Sequence, residues 1–65
     1  MEAKPYDTTG GIIAYENGEL TEEEELELFS NLVRTGLAWS LQGAYGRHAG
    51  ALIAGGYLDN RGVIQ

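Results

Sequence analysis

Cysteine is absent from these 65 residues, which excludes disulfides and thiolate metal sites. A single histidine, His48, leaves nothing for a histidine-based metal cluster. Cations are scarce: four Lys and Arg stand against ten Asp and Glu, for a net charge of -6. That balance opposes binding to a phosphate backbone, which needs clustered Lys and Arg, and it favours solubility. No apolar run approaches the ~18 residues of a membrane span. The opening "MEAKPYD" has no basic stretch followed by an apolar one, so no signal peptide is expected. The expected location is the cytoplasm, with no membrane partner and no cofactor.

Length limits the architecture. A chain of 65 residues makes one domain at most. A domain of this size buries only about 60% of its unfolded surface. With no disulfide or metal to support it, oligomerisation is the expected reinforcement.

The clearest element is a helix over 22–35. Thr21 and Glu24 fit a capping box, and Glu22–Glu25 fill a first turn where the helix dipole favours negative charge. Leu26, Phe29, Leu32 and Val33 recur at helical spacing as its apolar face. Gly36 suits a left-handed end, with Leu37 placed to touch Leu32. Leu37 to Gln42 reads as one or two turns, broken at Gly43. Tyr45, Ala49, Leu52, Ile53 and Gly56 then mark a helix over 44–54, ended by Gly55 and Gly56. Tyr57 and Leu58 fold back as an apolar contact.

Residues 10–20 admit two readings. Asn17-Gly18 is a hairpin signal when strands flank it. Alternatively, Thr8 or Thr9 caps a short helix that Gly18 ends. The helix is preferred, because a helix start follows Gly18 and the hairpin lacks a second strand. The expected fold is therefore all-α: a small, oligomeric bundle of three or four short helices over 10–58. Residues 1–9 are an extended arm that Tyr6 could anchor, and 59–65 a turn and tail.

Ten glycines are present, and the last helix holds an unusual share of them. Gly43, Gly46, Gly50 and Ala54 form a smooth stripe, although a mid-helix glycine costs roughly 0.5–1 kcal/mol relative to alanine. Close helix contact, within the protomer or between copies, would compensate. A ligand lying against the bare backbone would do so too. Trp39, Gln42, Tyr45, Arg47 and His48 are the candidate ligand- or partner-binding residues. Arg47 and His48 could meet a phosphate or carboxylate, or simply bond to nearby acids. Trp39 and Tyr45 could stack on a base or peptide, or pack together between the short turn and the last helix. The acidic run Glu22–Glu27 reads as a solvated helix start. Nothing assembles a nucleophile, base and orienting group, so no enzyme activity is expected.

The combination "IIAYENGEL", an acidic helix start, "LF" followed by "LV", "TGLAWSLQG", "YGR" and "ALIAGGYL" is distinctive as a whole. Over Ile12 to Leu58 it resembles a family of short accessory proteins of tailed bacteriophages, including those infecting actinobacteria. The resemblance implies an accessory protein made in the cytoplasm of the bacterial host, and carries over no catalytic or binding residues. Three activities follow as expectations. The first is binding and modulating a host or phage protein, including a bacterial defence component. The second is an oligomeric sponge for a nucleotide-type signal. The third is a helix-turn-helix DNA binder reading through Gln42, Arg47 and His48, which the acidic composition disfavours.

Overall fold

The computed structural model describes residues 6–65, which carry four helices: α1 Thr8–Glu16, α2 Glu22–Thr35, α3 Leu37–Ser40 and α4 Gly43–Ala54. Helix α2 is the centre, packing against each of the other three. Among the described residues the only β pairing is an isolated antiparallel bridge, Leu58–Ile64. The described residues thus fold as an all-helical domain, and the segment after Gly18 makes no hairpin with the one before it.

Local chemistry sets the helix ends. The Thr21 hydroxyl accepts the Glu24 N–H at 3.2 Å, and the Glu24 carboxylate accepts the Thr21 N–H at 2.9 Å, completing the capping box. Gly36 ends α2 at φ +82°, donating to the Val33 carbonyl. Both α1 and α4 close in Schellman fashion. Gly18 donates to Tyr15 and Glu19 to Ala14; Gly56 donates to Ile53 and Tyr57 to Leu52.

Several boundaries differ from the sequence reading. Asp7, not Thr8 or Thr9, caps α1, its carboxylate accepting the Gly10 N–H at 3.0 Å. Thr8 instead donates its hydroxyl to Asn31 of α2 at 2.6 Å, tying the two helices together. The expected arm therefore ends before Thr8. Its residues 1–5 lie outside the described part, and Tyr6 packs against the core as the expected anchor. Gly43 does not break the chain but begins α4; the break is the extended backbone at Leu41 and Gln42.

The core joins Leu28, Phe29, Leu32 and Val33 of α2 to Ala38, Tyr45, Ala49 and Leu58. Leu28 is fully buried, whereas Leu26, expected on the apolar stripe, is only partly so. The central helix is covered from several sides, and its buried face is wider than one stripe. Trp39, for which packing with Tyr45 is one of the two readings, is 56% exposed, and Ala38 takes the interior position. With four residues, α3 is a single turn, and it turns only one of them fully inward.

The C-terminal residues form a closed turn docked on α2. Asp59 Oδ1 accepts the N–H groups of Arg61 and Val63, both at 2.9 Å, and the Asp59 N–H returns to the Val63 carbonyl at 3.0 Å. These bonds, foremost that from Val63, hold the Asp59 carboxyl below the ordinary carboxylate range. Buried Ser30 donates its hydroxyl to the Gly62 carbonyl, fastening the turn to the middle of α2.

Candidate functional site

An aromatic cluster joins three helices. The His48 ring stacks on Phe29 with centroids 4.3 Å apart, and Tyr15 meets Phe29 edge-on at 5.3 Å. The Tyr15 hydroxyl and His48 Nδ1 are hydrogen-bonded at 3.0 Å, which fixes the imidazole. Tyr45 is buried and donates its hydroxyl to Glu16 at 2.7 Å.

These contacts leave a mark on the tyrosines. Burial, with the Glu25 carboxylate adding to it, raises the Tyr15 hydroxyl above its ordinary value. Burial foremost, then the hydrogen bond and negative charge of Glu16, push Tyr45 from 10.0 up to about 12. The fold favours the protonated phenol, so this contribution to stability is complete below pH 10.0 and is lost as pH rises through about 12. An ultraviolet phenolate titration of the native protein should show a late tyrosine near pH 12 that is absent from Tyr45→Phe. Loss of a tyrosine titrating near the ordinary 10.0, with the late one retained, would refute the assignment.

Beside this cluster an open cleft of about 420 Å³ runs between the first turns of α2 and the second half of α4. Half-buried Leu26, His48 and Leu52 form its walls, with Tyr57 at the edge, 59% exposed. Glu22 and Glu23 border it as exposed carboxylates, and Glu25 is half-buried in its lining. Glu24, the member of the acidic run engaged in the capping box, is not among the lining residues.

The five residues singled out from the sequence do not come together. Only His48 lines the cleft. Tyr45 is committed to the core and to Glu16. Trp39 lies on α3 beside Gly46, its ring 3.7 Å from where a Gly46 Cβ would sit. Exposed Gln42 precedes α4 and makes no capping bond with its side chain. Arg47 is exposed and reaches back along its own helix toward Gly43, at 3.9 Å from a Cβ built there. Arg47 and His48 are neighbours in sequence and so point about 100° apart around the axis of α4.

The small-residue stripe is equally divided. At Gly46 a Cβ would stand 3.4 Å from the Ala38 carbonyl, an ordinary van der Waals contact between α3 and α4. At Gly50 a Cβ would meet nothing within 4 Å, and Ala54 is exposed. Packing of α3 therefore touches the stripe at Gly46 without requiring a glycine there. The tighter approach is elsewhere: a Cβ at Gly11 would come within 3.0 Å of Leu28, where α1 crosses α2.

No local pattern in the sequence groups Glu22, Glu23, Glu25, Leu26, Leu52 and Tyr57. The one local hint is that Leu26 follows Glu22 by one helical turn, so an acid and an apolar side chain share that face. Their meeting with Leu52 and Tyr57 depends on how α4 packs, which no local pattern encodes.

Neither a curated protein nor a solved structure matches the chain. A family match exists, and it reaches beyond the four helices to take in the docked C-terminal turn. Residues 5–65 match a domain family described as a domain of unknown function, DUF7417, and the chain belongs to that family.

Proposed function

We propose that this protein is a non-enzymatic binding protein whose partner is another protein, docked in the cleft between α2 and α4. The observation that carries the reading is the cleft itself, with apolar walls at Leu26 and Leu52 and carboxylates at its border. Covering the apolar walls removes them from water, a gross gain of about 25 cal/mol per Å² from which the cost of association is subtracted. The carboxylates supply orientation and discrimination more than affinity. This is how a phage accessory protein would modulate a host or phage protein, a bacterial defence component included. A nucleotide-type signal fits less well, because its phosphates would meet Glu22, Glu23 and Glu25, while Arg47 stands on another side of α4. Duplex DNA is disfavoured by the same charges.

The test is capture of a crosslinked partner from bacterial cells, compared across variants that keep their helical circular dichroism. Leu52→Glu should reduce recovery of the partner about tenfold, as loss of a buried apolar anchor does. Ala51→Glu, on the exposed face of α4, should leave it unchanged. Equal recovery by the native chain and Leu52→Glu would refute docking in the cleft.

A further inference from the structure

Glu22, Glu23 and Glu25 have no ion-pair partner among the described residues, where the only ion pair is Arg61–Asp59. The helix dipole accounts for their sign. It does not account for their position around apolar walls, and the capping box does not use them. Any occupant must satisfy both halves of this lining. An acidic segment would be repelled by three carboxylates. An uncharged apolar segment would cover half-buried Glu25 and desolvate its neighbours with nothing in return, which is costly for an ionised carboxylate. A small hydrophilic cation would leave Leu26, Leu52 and Tyr57 wet. Only a segment that is apolar on one side and cationic on the other offsets both terms. At about 420 Å³ the cleft has room for a few side chains, not for a folded domain.

We infer that the occupant is a basic amphipathic stretch of a partner polypeptide, with apolar side chains against Leu26, Leu52 and Tyr57 and Lys or Arg at Glu22, Glu23 and Glu25. This rests on the binding reading above and specifies the partner's chemistry. The overall charge of -6 acts in the same sense, drawing a basic segment from a distance and speeding encounter at low salt. His48 contributes a fixed wall, since its Nδ1 is held by Tyr15 and its ring rests on Phe29.

The experiment uses the full chain and a designed helical peptide with leucines on one face and lysines on the other. Its two controls replace every Lys by Glu or every Lys by Ser. Nuclear magnetic resonance of the protein reports where each peptide lands. The Leu/Lys peptide should shift the signals of His48 and Leu52 and leave those of Trp39 unmoved. Neutralising the border with Glu22→Gln, Glu23→Gln and Glu25→Gln together should weaken binding about tenfold, the sum of three modest surface pairs. Added salt should weaken the native interaction more than that of the neutralised variant. Equal binding of the Ser or Glu peptide in the cleft would overturn the basic chemistry while leaving the binding reading intact. No shift at all at ~1 mM peptide, the concentration scale of weak association, would overturn it too, as would shifts centred on Trp39. The fate of the binding reading is decided separately, by partner capture with Leu52→Glu.

Discussion

Phe29→Ala should leave this domain largely unfolded at room temperature. The Phe29 side chain is fully buried and is the common neighbour of Tyr15, Tyr45 and His48. Truncating a buried Phe costs about 3–5 kcal/mol, from lost transfer energy and from the cavity left behind. Stability of roughly 0.05–0.15 kcal/mol per residue gives a domain of this length only about 3–10 kcal/mol in all. The loss is therefore comparable with the total. Circular dichroism and urea unfolding are the measurements. The expected result is a collapse of helical signal or a midpoint near zero denaturant, with Phe29→Leu retaining a cooperative transition. A Phe29→Ala protein within about 1 kcal/mol of the native one would mean that the aromatic cluster is not the centre of the core.

Gly62→Ala is the second large effect, and it acts through the backbone. Gly62 has φ +86°, a region that costs an L residue about 1–2 kcal/mol. A Cβ there would also lie 2.6 Å from the Ser30 carbonyl oxygen and 3.0 Å from the Arg34 nitrogen, both backbone atoms of α2. Neither can yield as a flexible side chain could. Overpacking of this kind adds about 1–3 kcal/mol. The turn should lift from α2, releasing the Ser30 hydroxyl from the Gly62 carbonyl and opening the Leu58–Ile64 bridge. Amide hydrogen exchange should accelerate at Asp59, Gly62 and Gln65, whose N–H groups hold the turn closed, before it does so in α2. Unchanged exchange at these amides would show that the turn is not fastened through Gly62.

The two variants probe different levels of the structure. Phe29 belongs to a helical periodicity that the sequence displays openly. Gly62 sits in "DNRGVIQ", which reads as a turn and a short tail, and nothing in those seven residues says that they dock. The docking depends on Ser30 offering a hydroxyl in the middle of α2 and on Leu58 filling the core beneath it. The same contrast holds at the cleft. Its acidic members are visible as a helix start and its apolar members as parts of two stripes. Helical spacing puts Leu26 on the apolar face of α2, yet it lies at the margin of that face, where an apolar side chain can line a binding cleft.

By itself the sequence determined the start of α2 and the glycine ends at Gly36 and Gly56, and it favoured, without deciding, the helix that Gly18 ends. Each of those features depends on groups within about five residues of one another: a hydroxyl and a carboxylate three positions apart, or a residue without Cβ where the backbone must turn left-handed. Tertiary structure alone decided that Ala38 faces inward while Trp39 faces out. It also placed Tyr45 against Glu16, left Gly50 open, and brought Glu22 and Leu26 opposite Leu52 and Tyr57. Those outcomes follow from the distance and rotation at which one helix meets another. Both are set by the summed packing of many side chains, and no short stretch of the chain contains that sum.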